Sequence, residues 1–276
     1  MTRCFVHLSD LHFGRTDRRL TRGLLDALHR IRPDVLVISG DLTQSAARRE
    51  FREAVAFLEQ APGIPFIVPG NHDLPGWNIV GRFLRRFARY RRFIGPDMNP
   101  VYSDNSLMLV GLNTARTVVY HWNWSHGRVS RRQLTAVSDS FRHAPESALR
   151  TVVMHHPIVP PAHRPRQKLV GRAHRAARNF SGARTDLILT GHLHRVTVSD
   201  LRSTYPDIER SIFSFQAGTT LSDRLRGEPN SFRTFHWSAP ELRTDLLQWT
   251  GHGFEVAESL QFVRRTDGLE EVSTAA

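Results

Sequence analysis

The sequence predicts an α/β fold around a largely parallel sheet, and three features of the 276-residue chain carry that expectation. Short apolar runs end in polar residues. Amphipathic stretches separate the first of these runs. The last third alternates apolar and polar residues with a period of two. In order, residues 3–8 read as a first strand and 34–39 as a buried second strand, with a helix-like stretch at 19–31 between them. A second helix-like stretch, 46–60, leads to a third strand at 65–68, and this strand, helix, strand, helix, strand order implies parallel pairing. Residues 107–112, 151–154 and 186–189 read as further strands, and Ser130 is placed to cap a helix running to about Phe141. Beyond His194, the stretches 196–201, 211–215, 232–237, 242–249 and 254–262 read as mostly antiparallel strands of a second sheet. No Gly/Ser/Pro-rich linker divides the chain, so one domain is expected over 1–266, with 267–276 a disordered tail.

Five of the predicted strands end in side chains that bind metals. The segments are Asp10-Leu11-His12, Gly40-Asp41, Gly70-Asn71-His72-Asp73, His155-His156 and Gly191-His192-Leu193-His194. Asp and Asn offer hard oxygen donors and His a borderline nitrogen, a mixture suited to Mn, Fe or Zn, and a pair of such ions clamps a phosphoryl group from both sides. Parallel strands share a carboxyl edge, where ligands of open α/β sheets bind, so segments distant in sequence converge on one site. Asp10 and Asp41 taken singly would serve equally well as helix caps, and His156 reads as a structural or supporting histidine rather than a ligand.

The five blocks, in this order and spanning about two thirds of the chain, resemble those of the calcineurin-like metallophosphoesterases, whose pattern is D-x-H, G-D, G-N-H-D/E, a lone H after a strand, and G-H-x-H. The pattern is closest to the bacterial class III cyclic-nucleotide phosphodiesterase branch. The resemblance implies a four-layer αββα sandwich, two mixed β-sheets flanked by helices, with a dimetal site at the sheet edges. It places Asp10, His12, Asp41 and His194 around one divalent ion and Asp41, Asn71, His155 and His192 around the other. Asp41 would bridge, since a carboxylate has two oxygens and can span ions roughly 3.5 to 4 Å apart. His192 and His194, two apart in an extended chain, would point the same way and send Leu193 into the core. Gly40, Gly70 and Gly191 would let the backbone approach the metals or take a positive φ. A metal-bridging hydroxide would attack phosphorus. His72, oriented by Asp73, would protonate the leaving group, making these two the catalytic pair beyond the ligands. Asn71 and His72 would contact substrate, with Arg116 and Trp122 as further candidates.

Composition is compatible with such an enzyme, at 40% hydrophobic residues, and Cys4 as the lone cysteine excludes an internal disulfide framework. A core strand begins almost at Met1 and no run of about 18 apolar residues occurs, so a soluble, cytoplasmic protein is expected. The formal net charge is +12, and Lys168 is the only lysine among 38 basic residues. Arginine concentrates at 82–92, within a stretch (77–94) whose apolar positions 80, 83, 84 and 87 have helical spacing. This predicts a basic amphipathic helix, which either packs on the domain or contacts an anionic membrane or nucleic acid. The loop 120–126 adds two tryptophans, suited to packing or to stacking on a ligand.

A small nucleotide-like phosphodiester of the cyclic-nucleotide type is the expected substrate. A pyrophosphatase acting on a UDP-diacylglucosamine-type lipid at the membrane surface is an alternative, although enzymes of that branch carry Arg where this chain has His72. A DNA nuclease is a third possibility that the charge favours, but the long extra domains of such enzymes are missing from the pattern. A binding scaffold without catalysis would tolerate damaged ligand positions, and here all are intact.

Overall fold

The computed structural model describes residues 2–75, 87–116, 126–162, 164–223, 225 and 227–272. The chain opens as β1 (Arg3–Leu8), α1 (Arg18–Ile31), β2 (Val35–Ile38), α2 (Arg48–Leu58) and β3 (Ile64–Ile67), with β1 to β3 paired in parallel. It continues through α3 (Ala88–Phe93), β4 (Val101–Ser103), β5 (Leu107–Leu112), α4 (Arg131–Arg142), β6 (Leu149–Met154), α5 (Ala173–Gly182) and β7 (Leu187–Thr190). Six strands complete it: β8 (Thr197–Asp200), β9 (Phe213–Gln216), β10 (Ser231–Ser238), β11 (Glu241–Trp249), β12 (Phe254–Arg265) and β13 (Gly268–Val272).

The strands form two mixed sheets, ordered β13-β12-β11-β10-β1-β2-β3 and β4-β5-β6-β7-β9-β8. Alternate residues of each central strand face opposite layers. Val6, Leu8, Leu36 and Ile38 meet Leu24, Leu28, Phe51 and Phe57 of α1 and α2. Phe5, Val35 and Val37 instead meet Leu109, Val153 and Phe215 of the other sheet. On that sheet's far face, Val110, Val152 and Ile188 pack on Val137, Phe141 and Phe180 of α4 and α5. The layering is therefore helix, sheet, sheet, helix, and strands buried on both faces read as continuous apolar runs. Caps fix the helix starts: Asp17 accepts from the backbone of Arg19 at 2.6 Å. Ser130 and Gln133 cap each other reciprocally, at 3.2 and 2.8 Å.

Several expectations are corrected. The five ligand-bearing strands do not share one sheet, since β1 to β3 lie in the first and β6 and β7 in the second. Nor do the late strands form a sheet of their own. Strands β8 and β9 join the second sheet, while β10 pairs antiparallel along the open edge of β1 and carries β11 to β13 with it. Stacking of Phe5 on Phe235, with centroids 4.7 Å apart, helps choose that edge. Within the tail expected to be disordered from Asp267, Gly268–Val272 form strand β13, paired with β12 from Gln261↔Val272 to Arg265↔Gly268. Gly268, at φ +124°, permits it, because a side chain there would strike the backbone of Ser211. Residues 77–86 of the expected basic helix lie outside the described residues. From Phe87 on, where φ is +42°, only the six-residue helix α3 of that expected stretch is described. Helix α5 was not expected, because its buried face is mostly small (Ala176, Ala177, Phe180) and its N-cap, Arg172, makes no side-chain cap bond. No helix among the described residues is long and apolar enough to cross a membrane.

His7, buried in β1, places Nε2 2.8 Å from Ser39 Oγ. Burial, reinforced by the charge of Arg233, lowers its pKa to about 3. The unfolded chain, with an ordinary histidine pKa near ~6.5, binds this proton more readily than the folded one, so His7 contributes stability above that pH and the contribution is lost as pH falls toward 3. Urea unfolding between pH 7 and 5 should show a slope of up to ~1.4 kcal/mol per pH unit from this group. The slope should shrink by that amount in His7→Gln, and equal slopes in both proteins would refute the assignment.

Candidate metal centre

The loops after β1, β2, β3, β6 and β7 bring the predicted ligands together. Asp10, His12, Asp41, Asn71, His155 and His194 are buried, while His72 and His192 are partly open. The carboxylate oxygens are allotted by hydrogen bonds. Asp10 Oδ2 accepts from Ser9 Oγ at 2.8 Å and from the His192 amide at 3.0 Å. That leaves Oδ1 without a hydrogen-bond partner, 3.6 Å from Nε2 of both His12 and His194. Asp41 Oδ1 accepts the His72 amide at 2.9 Å, and Oδ2 stands 3.2 Å from His155 Nε2 and 3.8 Å from His12 Nε2. A single oxygen of Asp41, rather than one from each side of the carboxylate, thus faces both histidine sets.

Ring orientation supports the same division. A carbonyl only accepts, so His155 donates Nδ1–H to Ser39 O at 2.8 Å and presents the lone pair of Nε2 inward. That lone pair lies 3.2 Å from Asn71 Oδ1 and 3.3 Å from His192 Nδ1. A nitrogen lone pair facing the Asn71 oxygen at this distance suits a cation between them. The rings of His12 and His194 stack at 5.2 Å, and both nitrogens of His12 are buried without a hydrogen-bond partner. These orphaned donor atoms, on a hard-oxygen and imidazole set, fit divalent ions at both positions. The groups Asp10/His12/His194 and Asp10/Asp41/His155 each hold their ligand atoms within 4.8 Å of one another.

Electrostatics follow from burying two carboxylates. Burial opposes the charge of Asp10, but the His194, His12 and His155 rings outweigh it and hold its pKa below the ordinary carboxylate range. Asp41 behaves alike, held down chiefly by His155. His155, which burial alone would lower, is pushed up to about 9 by the Asp41 carboxylate, while burial and then His155 lower His192 to about 3. The cavity collects positive charge at the His155 position even as a proton.

Five ligands sit in left-handed backbone conformations: Asp10 (φ +53°), His12 (+46°), Asp41 (+52°), His192 (+75°) and His194 (+56°). Non-glycine residues pay of order 1 kcal/mol or more for this, and such strain clusters at functional sites. It also corrects the expectation for Gly191-His192-Leu193-His194, which is a looped rather than extended segment with Leu193 only half-buried. Of the three glycines, Gly40 has the positive φ (+99°), whereas side chains on Gly70 and Gly191 would collide with Asp41 and with Ser9 and Asp10.

His72 donates Nδ1–H to Gln44 O at 2.7 Å, so the ring is oriented by a carbonyl and its Nε2 is directed elsewhere. The expected orienting acid, Asp73, is committed to backbone amides: Gly70 (2.9 Å), Thr43 (2.9 Å) and Leu42 (3.3 Å). It ties the loop after β3 to the loop after β2, with burial and then Asp41 raising its pKa to about 6. His156 bonds Thr114 Oγ1 at 2.7 Å and lies tilted at 44° to the His192 ring, 4.7 Å away. Arg116 is half-buried, and Trp122 falls outside the described residues.

Residues that the sequence patterns did not single out complete the site. Thr219 Oγ1 holds His194 Nδ1 at 2.6 Å, and Thr220 Oγ1 accepts the Ser9 amide at 3.1 Å. Both lie in the segment after β9. The Ser39 and Gln44 contacts are carbonyls, which leave no side-chain signature in a sequence.

Comparison with known proteins agrees with this geometry. The calcineurin-like phosphoesterase model matches residues 5–196. A cAMP/cGMP dual specificity phosphodiesterase of Mycobacterium tuberculosis is 29% identical over 213 residues, covering 70% of this chain and 62% of that protein, somewhat under two thirds of its length. A probable glycerophosphodiester phosphodiesterase of Arcobacter nitrofigilis is 25% identical over 231 residues, covering 80% of this chain and 79% of the relative. Among solved structures, a purple acid phosphatase from yellow lupin superposes over all of this chain and 57% of its own, with TM-score 0.71 and 11% identity, a likeness of fold alone.

Proposed function

Since the chain belongs to the calcineurin-like phosphoesterase family, we propose that this metal-dependent phosphoric ester hydrolase acts on a small, nucleotide-like phosphodiester of the cyclic-nucleotide type. The observation that carries the proposal is Asp41 Oδ2, held between His155 and His12 while Asp10 Oδ1 faces His12 and His194. When bound, two divalent ions at these positions supply Lewis-acid charge to the phosphoryl oxygens and lower the pKa of water enough for it to attack. Mn, Fe and Zn all suit the donor set.

The chain's own residues do the rest. His72 is partly open, so substrate reaches it, and with Nδ1–H fixed on Gln44 its Nε2 can donate a proton to the departing ester oxygen. Asp41 accepts the His72 amide, which couples the placement of that ring to the metal centre. Asn71 contributes its amide to the substrate side while its Oδ1 faces the His155 position. The cyclic-nucleotide assignment draws its support from the named activity of the mycobacterial relative.

Protein reconstituted separately with Mn, Fe or Zn should hydrolyse bis-p-nitrophenyl phosphate and 3′,5′-cyclic AMP. His72→Ala should lose about 10²–10⁴-fold in kcat, the range for general acid catalysis, while keeping its full metal content. No turnover of either ester with any metal would overturn the proposal.

A further inference from the structure

Beyond His156, on the side of the centre formed by the second sheet, basic residues gather. The loop after β5 and the start of α4 meet the loop before α5. Arg128 N–H bonds Thr114 O at 2.9 Å, Val129 N–H bonds Gly171 O at 3.1 Å, and Gly171 N–H bonds Gly127 O at 2.9 Å. Arg172 Nη1 reaches Val129 O at 3.2 Å, and the Arg128 side chain lies against Gly171. Thr114, in the same loop, holds His156, and Gly127 packs so closely on the His156 ring that a Cβ there would overlap it. This ladder joins the basic cluster to the His192 edge of the metal centre through one threonine and one histidine.

Arg116, Arg128, Arg131, Arg172 and Arg175 all project from these short segments. After burial, the charges of Arg128, Arg131, Arg175 and Arg116 are what depress the Arg172 pKa, so these four groups lie around Arg172. Among the described residues, no carboxylate forms an ion pair with Arg128, Arg131, Arg172 or Arg175. Asp207, an acid that contacts α5, is taken by His174 at 3.0 Å and Arg178 at 3.6 Å. Neither α4 nor α5 has an acidic residue in its first turn, so both helix ends add to the positive potential instead of being neutralised. Like charges at this density repel unless an anion joins them, and arginine binds phosphate bidentately.

We propose that Arg116, Arg128, Arg131, Arg172 and Arg175 form a subsite for a second phosphate of the substrate, beside the one cleaved at the metal centre. The proposal rests on the phosphodiesterase reading of that centre and adds to it a preference, among the diesters the centre cleaves, for those carrying a further anionic group. The phosphate would belong to a small nucleotide or be the neighbouring link of a nucleic-acid strand.

The test compares thymidylyl-thymidine with and without a 5′-terminal phosphate, using the metal-loaded protein. At low salt the phosphorylated ester should be preferred about tenfold or more in kcat/KM, and the preference should shrink in 0.5 M salt. In a double variant, Arg128→Gln with Arg175→Gln, the ratio should collapse toward one. A ratio taken on one preparation is insensitive to partial misfolding. Uncleavable methylene-phosphonate analogues of the same pair, titrated by calorimetry, should show the same preference in affinity. Equal binding of the two analogues by the wild type, or a preference that survives the double substitution, overturns the subsite. Absence of turnover with an intact binding preference would overturn the phosphodiesterase reading and leave the subsite standing. A pentanucleotide arm separates the sources: a gain that stops at the first extra phosphate marks a small substrate, and a gain that grows with length marks a strand.

Discussion

Asp41→Asn is expected to lower kcat/KM on bis-p-nitrophenyl phosphate by about 10³-fold or more, equivalent to ~4 kcal/mol of transition-state stabilisation. The substitution keeps the shape and one acceptor for the His72 amide, now at 2.9 Å from Oδ1. It removes the negative charge that stands 3.2 Å from His155 and 3.8 Å from His12. Both histidine sets lose their shared oxygen, so metal analysis should fall from about two ions per chain to one or fewer. His155 also loses the chief group that pushes its pKa up to about 9. Full metal content with full activity in Asp41→Asn would refute the shared-oxygen geometry. A loss of activity with two ions retained would instead move Asp41 from ligand to positioning residue.

The largest stability effect is expected far from the metals, at Asp186. This fully buried carboxylate, just before β7 of the second sheet, accepts from Arg210 Nη2 at 2.6 Å, Arg150 N at 2.9 Å and Arg264 Nη1 at 3.3 Å. Arg264 comes from β12 of the first sheet, donates also to Ala148 O at 2.8 Å, and lies over the Trp237 ring at 4.8 Å. One acid thus ties the two sheets together beneath the site and neutralises guanidinium groups that the fold has already removed from water. Removing one partner of a buried pair leaves the other uncompensated, at about 3–5 kcal/mol. Asp186→Asn should therefore lower Tm by roughly 6–20 °C. The exposed pair Arg49–Glu53 is the contrast: Arg49→Ala should change stability by less than about 1 kcal/mol. If Asp186→Asn melts within two degrees of the wild type, the clamp is not holding the sheets.

Much of the metal centre was legible because each ligand lies in a motif of two to four residues at a strand end, where local periodicity and residue type coincide. The strands β1, β2, β5 and β6, and the Ser130 cap, were readable for the same reason: alternation and capping are properties of neighbouring residues. The partition of the strands was not. Whether β10 pairs with β1 or founds a sheet of its own depends on Phe5 finding Phe235, some 230 positions away in the chain. The disordered tail was misread for a related reason, since Gly268 to Val272 is buried at only its first two positions and becomes a strand through pairing with β12.

The amino-acid order alone supplied the candidate donor set, Asp10, His12, Asp41, Asn71, His155, His192 and His194, and with it the expectation of divalent ions and a phosphoric ester. These are properties of side-chain chemistry and survive any arrangement that gathers them. Only the folded chain decided how the donors are shared: which oxygen of Asp41 faces inward, that the Ser39 carbonyl fixes the His155 tautomer while Thr219 orients His194, and that Gln44 rather than Asp73 steers His72. It also decided that arginines from three separate segments gather around Arg172, in the loops that hold His156. Hydrogen bonds and like-charge neighbours form between residues scores of positions apart, and their free energy exists only once the sheets have closed on each other.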